Sequence, residues 1–375
     1  MPEISSTVPS PREDTVPRKA VDENGTANTP GTLDRKRRTT SPSTNGSPVK
    51  RAKTAAETRK KHDKFWFSDG NVIVCVENYL FRIYCALLQS KSPYFIELFS
   101  QPDVETNRDV VDGCRVFTLP GKKKHFTALL DAIFGTLLLS EQTPSYFTLS
   151  CLLRAAHQWR FPAYEAWALK HLEKEWPSAL DEYTVFPDDP EPLHKYASSV
   201  IVLARSCSTT ALIKAAFCRL MWQPSLDLSA TPDALTSDAD HYNHDVVEWD
   251  RDDITLTRED LAKAIRLSEY ISGEWQAISS KPPSHTFLSD KKVLHTVVGK
   301  SCDQILKRIW HPLVTESDFA AHTWDVIDNL RELIQTIDWE GQGICETCAK
   351  KCRDIWEETR VLIWKGIDEM LEIET

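Results

Sequence analysis

The chain lacks the features by which membrane, secreted and phosphate-binding proteins are most readily recognised. No stretch approaches the ~18 consecutive apolar residues of a membrane-spanning helix, so we expect no membrane association. The N-terminus has no apolar segment of the kind found in a secretory signal peptide. Only 12 of the 375 residues are glycine, which leaves few loops able to cradle a phosphate group.

Catalytic signatures are missing as well. The sequence contains no Walker-type loop, no GxSxG elbow, and no HExxH or GxGxxG motif. His125, His157, His171 and His295 each stand alone, and an isolated histidine is more often a packing or surface residue than a catalytic base. We therefore expect a protein that is not an enzyme, with no catalytic residue and no cofactor.

The charge is divided unevenly along the chain. Residues 1–64 hold 14 Lys/Arg and 8 Asp/Glu, net +6, which leaves −16 for the remainder of a chain whose net charge is −10. A remainder this acidic repels the phosphate backbone of a nucleic acid. Nucleic-acid binding by the folded part is therefore disfavoured.

The ten cysteines are scattered and follow no signal segment, which favours reduced thiols inside the cell. We expect the protein in the nucleus, the cytoplasm or both.

Residues 1–64 are predicted to be a disordered basic tail. They are rich in proline, serine, threonine and charge, and contain no aromatic residue. Two basic clusters separated by eleven residues resemble a bipartite nuclear-import signal, which an import receptor would bind. Their basic residues are Arg35, Lys36, Arg37, Arg38, Lys50, Arg51 and Lys53. The alternative is a solubilising tail or one that contacts nucleic acid weakly.

From Phe65 onward the pattern predicts an α+β domain. Residues 71–76 and 79–84 indicate two strands joined by a turn at 77–78, and 113–119 indicate a third strand. Ser92 and Pro93 are typical of a helix start, and helical stripes follow around 126–134, 148–156 and 163–172.

This order of elements, together with particular residues, resembles the BTB/POZ domain. The matching residues are Asp69–Val74, Leu80–Tyr84, Leu87, Leu88, Ser90, Ser92, Pro93, Phe95, Leu98, Phe99, Val116–Pro120, Phe126, Leu129, Leu130, Leu152–Ala156, Trp159, Phe161, Pro162 and Trp167–Leu169. The resemblance is greatest to the BTB proteins expanded in mushroom-forming (basidiomycete) fungi, although Tyr84 stands where the family usually has histidine. It implies a BTB/POZ domain at 65–176, with a short sheet flanked by helices, that binds other proteins. It also implies a capacity to form homodimers and, by family analogy alone, a cullin scaffold as partner.

Residues 177–375 are predicted to be a mostly helical C-terminal region. Apolar periodicity indicates one long helix within 196–222 and others over 257–270, 291–310 and 319–337. Thr257 and Asp260 form a capping-box pattern. Between 226 and 253 the composition becomes acidic and polar, which favours a solvated loop over a metal site built from His241, His244 and nearby aspartates.

Three cysteines near the C-terminus admit two interpretations. Cys345, Cys348 and Cys352 have the C-x₂-C-x₃-C spacing of a zinc knuckle, with Cys302, His311 or His322 as candidates for a fourth ligand. They also share a helical face with Trp356 and Ile363, as an apolar stripe would. In a continuous helix the first and third cysteines are ~10 Å apart, too far to share a zinc ion. We therefore favour the stripe and expect no metal.

The combined prediction is a protein–protein interaction module, an adaptor or scaffold that acts through its BTB domain. The alternative is a nuclear transcription or chromatin regulator whose basic tail contacts nucleic acid or import receptors.

Overall fold

A five-stranded mixed sheet forms the first half of the folded chain. The computed structural model describes residues 59–101, 109–135, 144–183, 193–221, 250–282, 296–297, 300–315 and 325–373. The strands are β1 (Lys60–Trp66), β2 (Val72–Val76), β3 (Tyr79–Ile83), β4 (Val110–Val111) and β5 (Cys114–Leu119). Their order in the sheet is β1-β3-β2-β5-β4. The predicted tail with its import signal and most of the predicted acidic loop lie outside the described residues.

The hairpin of β2 and β3 is the centre of this sheet. All five residues of β2 are buried, and the strand pairs antiparallel with β3 from Val76 opposite Tyr79 to Val72 opposite Ile83. Glu77 occupies the turn with φ of 54°, which allows the tight two-residue connection. Strand β5 then pairs with β2 in parallel. The three strands predicted from the sequence are confirmed to within one residue at each end.

Strand β1 corrects the predicted end of the tail at residue 64. The segment is polar on its exposed face, which is why composition assigns it to the tail, yet it pairs in parallel with β3 of its own chain. The amide of Lys60 donates to the carbonyl of Asn78 at 2.7 Å, and the His62 ring stacks on Phe81 with centroids 4.6 Å apart. An edge strand needs backbone partners more than apolar composition, so its charged residues do not prevent pairing.

The sheet curls so that its two edges approach each other. Arg59, just before β1, pairs with Asp109 at 2.7 Å, and Lys61 pairs with Asp112 beside β4 at the same distance. The inside of this curl holds a small separate apolar cluster. Its members are Trp66, Ile73, Cys75, Leu80, Val111, Cys114 and Val116. These ion pairs place charged side chains along both edges of the sheet. Charged edges are protected from pairing with strands of other chains.

Five helices surround the other face of the sheet. They are α1 (Cys85–Gln89), α2 (Pro93–Phe99), α3 (Lys123–Ile133), α4 (Tyr146–Gln158) and α5 (Pro162–Glu175). Ser92 begins α2 as predicted: its hydroxyl accepts from the Phe95 amide at 3.3 Å and donates to the Trp159 carbonyl at 2.6 Å. Trp159 also packs edge-on against Phe126 of α3. These contacts of Ser92 and Trp159 attach the start of α2 and the end of α4 to the core.

The C-terminal region is helical, as predicted, and shares the core of the first half. Its helices are α6 (Ala197–Ser206), α7 (Ile213–Leu220), α8 (Arg258–Ser280), α9 (Cys302–Thr315), α10 (Val326–Thr336) and α11 (Glu346–Leu371). One continuous apolar cluster extends from Phe65 to Leu371. Lys214 of α7 pairs with Asp368 of α11 at 2.5 Å, and the Trp364 indole donates to the Ser178 carbonyl at 3.0 Å. Helix α11 therefore contacts both α7 and the segment that follows α5.

Two predictions for this region are wrong in detail. The single long helix within 196–222 is two helices, because the polar residues after Cys207 close the first one and Ser208 adopts a φ of 51°. The helix predicted over 291–310 starts at Cys302. Before it, Thr296–Val297 and Lys300–Ser301 form a short antiparallel pair, consistent with the low helix propensity of β-branched residues and glycine there.

The capping box at Thr257 and Asp260 is confirmed at the start of α8, and that helix continues ten residues beyond the predicted end. Within the described residues, no helix is both long and apolar enough to cross a membrane.

Candidate functional site

Three cysteines from distant parts of the sequence converge at the starts of two helices. Cys302 is the first residue of α9, and Cys345 is the N-cap of α11, with Cys348 in its first turn. Their Sγ atoms all lie within 4.8 Å of one another. The Cys345 amide donates to the Cys302 Sγ at 3.5 Å, which fixes the two helix starts side by side. We refer to these three residues with Cys352 as the cysteine cluster.

A turn before α11 sets the position of Cys345. Gly343 has a φ of +87°, a conformation that favours glycine, and its amide donates to the Glu340 carbonyl at 2.8 Å. Trp339 is 1% exposed and anchors the start of the turn, and its carbonyl accepts from the Ile344 amide at 3.0 Å. The chain therefore enters α11 with Cys345 extended at φ −66° and ψ 152°, outside the helix.

This geometry decides between the two interpretations of the cysteine spacing only in part. Cys348 and Cys352 lie on the buried face of α11 with Trp356 and Ile363, as the apolar stripe requires. Cys345 does not continue that stripe, because it precedes the helix. The distance argument against a shared metal, which assumed a continuous helix through all three cysteines, therefore does not apply to Cys345.

A small cavity of about 30 Å³ adjoins the cluster. Cys302, Cys348 and Cys352 line it together with Asp303, Leu306 and Ile344. One carboxylate oxygen of Asp303 pairs with Lys307 at 2.8 Å, whereas the other is buried and has no hydrogen-bond partner among the described residues. Sequence reasoning missed Asp303, since nothing in the local pattern sets this aspartate apart from other first-turn acids.

The thiols of the cluster differ in acidity. Burial raises the pKa of Cys345, but hydrogen bonds from the backbone and thiol of Cys348, from the Cys302 thiol and from the Thr347 backbone outweigh it, so the pKa is lowered. Burial, and then the neighbouring Cys345 thiol, raise the pKa of Cys348 to about 12. Burial raises that of Cys352 to about 12. Among Cys345, Cys348 and Cys352, only Cys345 has its pKa shifted toward the thiolate.

The other proposed fourth ligands are not brought to the cluster. His311 lies on α9 but is exposed, and it does not belong to the group of converging ligand atoms. His322 lies outside the described residues. Among the candidates, the structure places Cys302 at the cluster. None of the ten cysteines, all of which are described, forms a disulfide.

A second polar cluster joins the start of α3 to the end of the predicted acidic loop. Lys122 and Lys124 contact Asp250 at 2.6 and 2.8 Å, and Lys124 contacts Asp253 at 2.6 Å. Arg154 of α4 lies 3.7 Å from Asp253, which is 5% exposed. The prediction of a solvated loop is therefore wrong for Asp250 and Asp253, whereas Arg251 and Asp252 between them are exposed. Three cations of the first half attract these carboxylates and hold them against α3 and α4.

His125 lies next to this ionic cluster and is buried. Burial, and then the charge of Arg154, lower its pKa to about 3, so the ring is neutral at physiological pH. Two other histidines have ordinary partners: His157 contacts Glu165 at 2.8 Å, and His171 contacts the Trp167 carbonyl at 2.8 Å. His295 lies outside the described residues.

An exposed, partly apolar surface lies where α2 crosses the edge of the sheet. Ile96 is 49% exposed and Val110 is 57% exposed. Phe99, one turn after Ile96, packs edge-on against Phe117 with centroids 4.8 Å apart, and the Arg115 guanidinium lies 4.4 Å from the Phe117 ring centroid. Val110 pairs with Arg115 across β4 and β5, which makes the surface continuous. We call these five residues the α2–β5 patch.

No protein-family model matches the chain, and no curated protein matches it either. The resemblance to BTB/POZ domains therefore rests on the residues quoted for it and on the order of the elements.

Proposed function

We propose that the chain is a protein-interaction module, an adaptor or scaffold that acts through a BTB/POZ-type domain. The observation that supports this most directly is the order of elements: an antiparallel hairpin, a helix pair, a strand parallel to the first hairpin strand, and then packed helices. This is the order that the resemblance implies. Since a fold hosts many functions, the proposal also needs a surface at which a partner can bind.

The α2–β5 patch supplies that surface. It combines two exposed aliphatic side chains with two aromatic rings and an arginine, and aromatic residues and arginine are enriched at protein interfaces. Its members come from α2, β4 and β5, all within the part of the chain that resembles the BTB domain. A partner protein that covers Ile96 and Val110 would bury apolar surface that water now contacts, which is favourable at about 25 cal/mol per Å².

The test is quantitative affinity purification of the full-length chain from its native cell, comparing the wild type with Ile96→Glu. A carboxylate in the patch would have to be desolvated on binding, so recovery of the wild-type partners should be reduced at least tenfold. Leu362→Glu is the matched control, because Leu362 is also a large exposed aliphatic residue, 66% exposed, on α11. This control should retain the wild-type partners.

Equal partner recovery by wild type and Ile96→Glu would contradict the assignment of the patch. Recovery of a cullin scaffold with the wild type would identify the partner as a ubiquitin-ligase component.

Alanine substitution of both basic clusters, Arg35–Arg38 and Lys50–Lys53, in the full chain tests the alternative function. If every partner is then lost while Ile96→Glu loses none, the nuclear regulator replaces the interaction module. Size-exclusion chromatography with light scattering of the same proteins reports whether the chain forms homodimers.

A further inference from the structure

We propose that Cys302, Cys345, Cys348 and Cys352 bind a structural zinc ion that ties the start of α9 to the start of α11. This inference does not depend on the proposed interaction function. It rests on the convergence of three of the thiols, on the cavity lined by Cys302, Cys348 and Cys352, and on the electrostatics of the two helix starts.

The separation of the thiols fits a single metal ion. Zinc–sulfur bonds of ~2.3 Å in a tetrahedron place neighbouring sulfur atoms ~3.8 Å apart. The Sγ atoms of Cys302, Cys345 and Cys348 are within 4.8 Å of one another, so each pair needs to close by no more than ~1 Å. In a [4Fe–4S] cluster the four thiolates bind four different iron atoms, which holds the sulfur ligands farther apart than these.

Cys352 is the candidate for the fourth ligand, and its Sγ, which is not among the three that lie within 4.8 Å of one another, has to move closer to complete the tetrahedron. It follows Cys348 by four residues on α11, so the two side chains lie on one face of the helix, the spacing used by paired ligands in HExxH zinc sites. Both side chains line the same cavity of about 30 Å³, on the side of α11 that faces Cys302. The C-x₂-C-x₃-C spacing thus becomes a workable ligand set because Cys345 precedes the helix.

The two helix starts place partial positive charge beside the cluster. The N-termini of α9 and α11 both point at the cluster, and the positive end of each helix dipole stabilises negative charge there. The Cys345 amide donates to the Cys302 Sγ at 3.5 Å, a bond that strengthens when the sulfur carries a negative charge. The buried Asp303 oxygen without a partner among the described residues also favours a cation nearby over an empty apolar cavity.

The apolar-stripe interpretation explains less of the geometry. Packing of cysteine as a small hydrophobe accounts for Cys348 and Cys352. It gives no reason for Cys302 and Cys345, 43 positions apart in sequence, to start two helices within hydrogen-bonding distance of each other. A shared zinc ion gives that reason, because it links both helix starts.

The experiment is elemental analysis of the full-length protein, purified without chelator, by inductively coupled plasma mass spectrometry. We expect a single zinc ion per chain, and exchange for cobalt should give the intense thiolate charge-transfer and visible bands of tetrahedral sulfur coordination. Cys345→Ala and Cys348→Ala should each lower the zinc content at least tenfold under competition with a chelator. Cys207→Ala, at a buried cysteine outside the cluster, should leave it unchanged.

Zinc binding by the wild type can be tested even if a variant fails to fold. Removal of zinc from the wild type by a strong chelator should make the four cluster thiols newly reactive, and readdition of zinc should protect them. Wild-type protein that is isolated without zinc and binds none when it is added would overturn the proposal. So would recovery of iron in place of zinc, or a disulfide between Cys345 and Cys348 in protein alkylated at the moment of lysis.

Discussion

Replacement of Asp253 by asparagine should destabilise the protein by about 3 kcal/mol, the lower end of the cost of breaking a buried ion pair. Asp253 is 5% exposed and is shared by Lys122, Lys124 and Arg154. Asparagine keeps the shape of the side chain but removes the charge, so three cations remain close together with less compensation. The side chains of Lys122 and Lys124 are 29% and 19% exposed, and solvent screening of these partners is why we expect the lower end of the range.

The assay is equilibrium unfolding of the full chain in urea at pH 7, followed by tryptophan fluorescence. Asp252→Asn is the matched control: it removes the same charge one residue away on the same short 3-10 turn, where the side chain is exposed. The control should differ from the wild type by less than ~0.5 kcal/mol. If Asp253→Asn falls within that same margin, the ionic cluster does not stabilise the fold and our reasoning about this contact is wrong.

The pH dependence of this effect has a defined sign. Burial raises the pKa of Asp253, but Arg154, Lys124 and Lys122 outweigh it, so the pKa is lowered from 3.8. The stabilisation is therefore fully present above the unfolded-state pKa and is lost as pH falls through the lower folded-state pKa. The neighbouring His125 stays neutral down to a pKa of about 3, so it adds no fourth positive charge at pH 5. The difference between wild type and Asp253→Asn should be constant from pH 5 to 8 and shrink in stronger acid.

Two further predictions concern buried polar side chains. Because the folded state keeps His125 neutral while the unfolded chain binds a proton below a pKa of about 6.5, wild-type stability should fall between pH 6.5 and 4, by up to ~1.4 kcal/mol per pH unit. His125→Gln should flatten that slope in urea titrations at pH 7 and 5, and an unchanged slope would exclude His125 as its source. Ser92→Ala should cost about 2 kcal/mol, because it removes both the cap of α2 and the buried bond to Trp159. Ser90→Ala, whose hydroxyl is exposed, should cost less than ~0.5 kcal/mol in the same unfolding assay, and similar losses in the two variants would refute the role of Ser92.

Local sequence patterns determined most of the secondary structure. The β-branched run at 72–76, the turn at Glu77 and the alternation at 79–83 specify a hairpin without any distant contact. Ser92 with Pro93, and Thr257 with Asp260, are signals for helix starts because each cap satisfies amides within its own first turn. Such features are read correctly from sequence because the interactions that produce them span only a few residues.

Tertiary structure decided the features that depend on distant partners. Lys60–Lys64 looks like the end of a charged tail, and only pairing with β3 makes it part of a strand. Asp250 and Asp253 look like solvated loop residues, and only Lys122, Lys124 and Arg154 draw them onto α3 and α4.

The cysteine cluster also combines a local sequence pattern with contacts that only the tertiary structure decides. The sequence by itself supplied the C-x₂-C-x₃-C spacing and the list of fourth ligands, but not which of them meet. The turn at Gly343 takes Cys345 out of the helix, and the packing of α9 beside α11 brings in Cys302 from 43 positions away. A contact between such distant residues has no local signature, because it is the packing of whole helices on a shared core that places them together.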